Sequence, residues 1–204
     1  MNGQSGRQQI FRELVKAITF EQVVETGTYR GTTTEFLAAI TGAPVATVEL
    51  VDRYRLFAKA RLAALPAVET FGGDSRDLLR HLSLTRSRVP TLFYLDAHWR
   101  TELPLADELR IIAASWSNAV VVIDDFQVPG DRGYAFDDYG PCAALTAAYL
   151  PDEIRTWTLL YPAVPSAAET GQRCGAAFLA SPALAGATRS VTSLRAATRA
   201  DPCP

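Results

Sequence analysis

Three aspartates carry the chemistry most easily read from this chain. Two apolar runs end in acid: LFYL leads into Asp96, and AVVVI leads into Asp124 and Asp125. If the runs are neighbouring parallel strands, three carboxylates meet at the carboxyl edge of one sheet, where open α/β sheets bind ligands. Converging carboxylates repel one another unless a cation sits among them. A hard, oxygen-preferring ion such as Mg²⁺, or Mn²⁺ in its place, suits such a set. Adjacent residues of a strand point to opposite faces. Asp124 and Asp125 therefore serve one ion only if the strand has ended, as the following Phe126-Gln127-Val128-Pro129-Gly130 allows. In the other arrangement one acid coordinates while its neighbour caps or faces water.

A second group lies upstream, in VVETGTYRGTTTEF. Gly27 and Gly31 let backbone pass close to a ligand, and the helix start at Thr32 presents free N–H groups to a carboxylate. Glu25, just before the turn, can accept from an ammonium, so the loop suits the amino-acid end of a cofactor. Thr28, Tyr29 and Arg30 fill the gap between the glycines. That spacing, G-x-x-x-G, departs from the G-x-G-x-x-G of dinucleotide sites. Thr32 with Glu35 fits a capping box. Glu49 closes the run VATVEL, 22 residues after Gly27, and one carboxylate there can take both hydroxyls of a ribose. Gly73-Asp74-Ser75 follows a third run. It reads as a ligand-facing turn, a helix N-cap, or both.

The elements that must position these groups alternate. Ile10, Phe11, Leu14, Val15 and Ile18 form a helical stripe. Five short apolar runs are then separated by amphipathic segments, with Pro104 expected in the first turn of the last. The residues from Phe126 to Gly140 read as a loop, and Ala143 to Tyr149 as a helix. IRTWTLLY and CGAAFLAS follow as an antiparallel pair. The expected fold is α/β and Rossmann-like: a mostly parallel seven-stranded sheet with a C-terminal antiparallel pair and helices on both faces. One domain is expected over 1–182, with a loosely ordered tail over 183–204.

Composition narrows the classes. With 48% hydrophobic and 21% charged residues over 204 positions, one full core can be buried. A net charge of −2 with no basic stripe argues against nucleic acid as a partner. No apolar run approaches a membrane span, and the first residues lack the apolar region of a signal peptide, so a cytoplasmic protein without a membrane partner is expected. Cys142, Cys174 and Cys203 have no metal-site or disulfide-framework spacing. Oligomeric state is open, a homodimer included.

The order of these segments resembles the class I S-adenosylmethionine-dependent methyltransferases over roughly residues 10 to 180. Glu25, Gly27 and Gly31 resemble that family's E-x-G-x-x-x-G motif. LDAHW and IDDFQVPG resemble the metal-binding segments of the Mg²⁺-dependent O-methyltransferases, of the catechol and the macrocin-type sugar groups. The resemblance implies S-adenosylmethionine bound by Glu25, Gly27, Tyr29, Gly31, Thr32, Glu49, Asp74, Ser75 and Asp96, and a metal held by Asp96, Asp124 and Asp125. Where the catechol group has LDHW and then a lysine, this chain has LDAHW and Arg100. His98 falls at the offset of the sugar group's proposed base, and histidine can accept a proton near neutrality, so His98 is the candidate general base. Its plainer reading is a structural histidine near the adenine. Trp99 would wall the pocket, and Tyr134 to Gly140 would form an acceptor-facing lid. The implied activity is O-methylation of a small hydroxylated metabolite, catechol-like or a sugar diol, of the kind met in natural-product biosynthesis. The alternatives are a metal-independent N- or C-methyltransferase and a non-catalytic cofactor-binding partner protein.

Overall fold

Five apolar runs of five or six residues become the parallel strands of one sheet, and a helix follows each of the first four. The computed structural model describes residues 1, 3–98, 103–140 and 142–196. Helix α1 (Ser5–Ala17) leads into β1 (Gln22–Thr26), α2 (Thr32–Thr41), β2 (Val45–Glu49), α3 (Asp52–Arg61), β3 (Val68–Gly72) and α4 (Ser75–Arg86). Then come β4 (Thr91–Leu95), α5 (Leu105–Ser115), β5 (Ala119–Asp124), β6 (Thr158–Pro162), β7 (Ala176–Ala180), α6 (Ala185–Arg189) and β8 (Leu194–Ala196). The strand order is β3-β2-β1-β4-β5-β7-β6-β8. Strands β1 to β5 run parallel, and β7 enters antiparallel between β5 and β6.

Every residue of β1, β2, β4 and β5 is buried, as expected of parallel strands covered on both faces. One core layer joins Ile10, Phe11, Leu14 and Leu37 to Tyr94, Val122 and Phe178. The other joins Leu79, Leu109, Ile112 and Trp116 to Phe93, Val121 and Leu179. Strand β1 pairs with both β2 and β4. The winding reverses there, and the crevice at the carboxyl ends of β1 and β4 is the topological switch point where such sheets bind ligands.

The structure departs from the sequence reading in four places. Gly31 is the N-cap of α2 in a left-handed conformation, φ 75°, with no side-chain cap; Thr32 is already helical, so the Thr32–Glu35 capping box does not form. Pro104 is likewise the N-cap of α5 rather than a first-turn residue. Residues Ala143 to Tyr149 hold only a 3-10 turn at Ala147–Tyr149, because Leu145 N and O are drawn into bonds with Asp137 and Gln127 instead. The expected loose tail is ordered as far as 196. Glu13 accepts from Thr192 Oγ1 and from the Ser193 backbone and hydroxyl (2.7–3.1 Å), Val191 is buried, and β8 adds an eighth strand beside β6. Cys142 and Cys174 are free thiols; Cys203, Trp99 and Arg100 lie outside the described residues.

Candidate active site

The turn after β1 is built on a glycine that nothing else can replace. Gly27 has φ 82°, and a Cβ there would lie 2.1 Å from the Asp96 carbonyl oxygen. The register Glu25↔Tyr94 and Thr26↔Leu95 brings the two strand ends together, and Asp96 N donates to Thr26 O (3.0 Å). The loop thus passes directly against the first aspartate. Tyr29, also at positive φ (47°), donates its N–H to Glu49 Oε2 (2.7 Å). Val51 N donates to Glu49 Oε1 (2.8 Å). Glu49 is therefore fixed at the end of β2, and a carboxylate has about four acceptor sites, so one on each oxygen is left for a ligand hydroxyl.

Glu25 is wholly buried, and its Oε2 accepts from the Thr34 and Thr47 hydroxyls. Burial outweighs those bonds and pushes its carboxyl up to about 7. Asp74 caps α4, accepting from Arg76 N (2.8 Å), and the Arg76 bonds hold its carboxyl below the usual range; the N-cap reading of this residue is met. Ser75 is buried just behind it. Beside them a cavity of about 230 Å³ opens between Val48, Phe71, Gly73, Asp74, Leu78 and His81. His81 carried no signal in the sequence for that position, since it lies within an ordinary amphipathic helix.

At the next two strand ends the acids separate. Asp124 is 2% exposed and turns toward α1. Its Oδ1 accepts from Arg7 Nη1 and from Asp125 N, and its Oδ2 from Tyr94 OH (2.5 Å). Burial works to raise the Asp124 carboxyl, but Arg7 and Tyr94 overcome it and hold it below the usual range. Asp125 takes a left-handed conformation, φ 48°, and is half-buried. Burial and the Asp124 charge push its carboxyl up to about 6, against a hydrogen bond from the Cys174 thiol. Asp96 is pushed well above the usual range by burial and by Asp124 and Asp125.

His98 completes the group. One donor atom each from Asp96, His98 and Asp125 lies within 4.8 Å of the others. The His98 side chain is 2% exposed, with Nε2 at 3.9 Å from both Asp96 Oδ1 and Asp137 Oδ2. Burial lowers its pKa despite the charges of Asp124 and Asp137, which favours the neutral imidazole. The structure gathers Asp96, His98 and Asp125; Asp124, the third aspartate of the sequence reading, is paired with Arg7.

Arg7 is the residue that sequence reasoning missed. It is fully buried, and it also donates to the carbonyls of Cys174 (2.6 Å) and Gly175 (3.0 Å). Burial opposes its charge, and Asp124 and Tyr94 outweigh that, keeping the guanidinium above its usual pKa. A signal existed: Arg7 precedes Ile10, Phe11 and Leu14 by three, four and seven residues, on the buried stripe of α1. Glu108 gives the same signal within the stripe Leu105, Leu109 and Ile112. It too is buried, near Ser75 and Thr26, and burial pushes it up to about 7.

The expected lid packs onto the acids. Asp137 N donates to Asp125 O (2.9 Å), Tyr139 OH to Asp137 Oδ2, and the buried Tyr134 OH to Val164 O (2.9 Å).

No protein-family model matches the sequence, and no curated protein sequence matches it. Solved structures do match in fold. The O-methyltransferase TomG from Streptomyces achromogenes, involved in tomaymycin synthesis and solved with S-adenosylmethionine, superposes with a TM-score of 0.61 at 17% identity, over 86% of this chain and 79% of its own. Cofactor-bound Rv0187 from MTB gives 0.63 at 21% identity, over 86% and 79%. An O-methyltransferase from Bacillus cereus, in complex with SAH, gives 0.54 at 17%, over 85% and 80%. The chain has the Rossmann-like α/β fold of these structures.

Proposed function

We propose that the protein transfers the methyl group of S-adenosylmethionine to a hydroxyl oxygen of a small metabolite, with a divalent cation beside the acceptor. The observation that carries this reading is the contact between Gly27 and the Asp96 carbonyl, which makes a cofactor-sized loop and an acidic cluster share one wall. The neighbours' bound cofactors and O-methyltransferase activities support it. A catechol-like compound or a sugar diol of natural-product biosynthesis fits, because either offers two oxygens to one ion.

S-adenosylmethionine, when bound, supplies an electrophilic methyl, and a divalent ion supplies positive charge for the acceptor oxygen. The chain supplies the rest. Glu49 would take ribose hydroxyls, Glu25 would accept from the ammonium, the N-terminus of α2 would hold the carboxylate, and Asp74 and Ser75 would border the adenine. The donor set fits an ion, since the buried His98 Nε2 has no hydrogen-bond partner among the described residues and faces Asp96. That nitrogen can take the acceptor's proton, as the base reading of His98 requires, or it can bind the ion; the two uses exclude each other. Positioning of the acceptor against the methyl does most of the work.

The Arg7–Asp124 pair favours one second reading: Arg7 is already the cation of the site, and transfer proceeds without metal. Titration calorimetry with S-adenosylhomocysteine tests the cofactor claim, with a micromolar Kd, about −8 kcal/mol, expected. Methyl transfer to catechols and sugar diols, measured with Mg²⁺ or Mn²⁺ and again in EDTA, tests the reaction. Turnover that is indifferent to EDTA selects the second reading. Cofactor binding with no transfer to any acceptor overturns both.

A further inference from the structure

We propose that His98 Nε2 is the third protein ligand of the cation site, joining Asp96 and Asp125 in place of Asp124, and that this donor set selects a transition-metal ion over Mg²⁺. The proposal rests on the metal-assisted reading above and names the ligands and the class of ion for that site.

The first observation is what Asp124 already does. Its two oxygens receive Arg7, Tyr94 and the Asp125 N–H, and Arg7 is itself anchored to two carbonyls. An ion bound by Asp124 would have to displace or crowd a buried guanidinium. The second observation is independent. The His98 Nε2 atom is buried and unpartnered among the described residues, and its nearest carboxylate oxygens, on Asp96 and Asp137, are both 3.9 Å away. That is beyond a hydrogen bond. A buried polar atom left without a partner is costly, and one aimed between carboxylates is satisfied by a cation.

The geometry is close to what an ion requires. The three donor atoms lie within 4.8 Å of one another. Ligands at about 2.1–2.3 Å from one ion stand roughly 3 to 4.5 Å apart, so small rotations of side chains close the set. The donor chemistry then sets selectivity. Mg²⁺ prefers an all-oxygen shell, whereas imidazole suits the later divalent ions, and affinity rises from Mn²⁺ through Co²⁺. The left-handed turn at Asp125 and the Arg7–Asp124 pair are thus two parts of one arrangement, which retires one aspartate and admits a histidine.

The test uses the full chain, free of cofactor, titrated calorimetrically with Co²⁺, Mn²⁺ and Mg²⁺. Pulsed electron paramagnetic resonance of the Mn²⁺ form reads nitrogen coupling directly. The wild type is expected to bind Co²⁺ at least about tenfold more tightly than Mg²⁺ and to show nitrogen coupling on Mn²⁺. His98→Ala should abolish that coupling and weaken Co²⁺ by about tenfold or more, with Mg²⁺ affected less. Ion binding without nitrogen coupling in the wild type overturns the proposal and leaves the metal-assisted reading standing. So does a His98→Ala protein with unchanged Co²⁺ affinity. Failure of every ion to bind overturns both. If His98→Ala does not fold, the wild-type spectrum alone decides.

Discussion

The two halves of the carboxyl edge handle charge in opposite ways. On the β1–β2 side each acid already has donors: Glu49 holds two backbone N–H groups and Glu25 two hydroxyls. On the β4–β5 side, Asp124 is paired with a buried arginine, while Asp96, His98 and Asp125 lie close together, with the His98 Nε2 unpartnered among the described residues. On the proposed reading the first half would meet a ligand's hydroxyls and amine, and the second a cation. Asp124 and Asp125 show the contrast within a single peptide unit, one carboxyl held low and the other pushed up to about 6.

The largest expected effect breaks the finished pair. Arg7→Met leaves Asp124 buried without its cation and should cost roughly 3–5 kcal/mol of stability, measured by urea denaturation. Adding Asp124→Asn should recover part of that. A loss under about 1 kcal/mol for the single variant would show that the pair is not what holds this wall.

Next comes the wall shared by the halves. Gly27→Ala puts a methyl against the Asp96 carbonyl at a positive φ, a strain of at least roughly 1–3 kcal/mol. Reduced melting temperature together with lost S-adenosylhomocysteine binding is expected. A variant that binds normally would separate the loop from the acids.

Glu49→Ala should spare the fold and weaken cofactor binding by roughly 1–3 kcal/mol. An unaltered calorimetric isotherm would remove Glu49 from the ribose site.

The smallest effect comes from pH. The Glu25 carboxyl is raised from its ordinary 4.5 to about 7 by burial, so the folded protein favours its protonated form. The stability this lends the cofactor-free protein is present below the ordinary value and is lost as pH rises through about 7. A ligand ammonium prefers the ionised form, so cofactor affinity should rise with pH, by less than about tenfold from pH 6 to 8 for this single proton. Affinity that is flat over that range would place the ammonium elsewhere.

Much of this contrast was legible in the sequence, and for physical reasons. Continuous apolar runs such as AVVVI mark strands buried on both faces, and acids at their ends mark the ligand edge. Glycine spacing marked the turn at Gly27, because close approach and positive φ both demand it. The partner of Asp124 was not legible. It lies 117 positions upstream, and only its place on the α1 stripe betrayed burial. Nor was the left-handed backbone at Asp125, which leaves no mark in the pattern. The tail misled because Ala, Thr, Ser and Arg resemble linker composition, whereas Val191 and Leu194 dock on the core layer around Ile10 and Phe11.

Arg7 also bears on how the chain is made. Its carbonyl acceptors on Cys174 and Gly175 emerge from the ribosome 167 and 168 residues after it. Contacts of such separation are slow to form, because loop closure must precede them. Until β7 arrives, α1 carries a charge on the face it must bury, and desolvating that charge early is unfavourable. A nascent chain halted before residue 174 lacks two of the bonds that hold the Arg7 guanidinium in the folded protein.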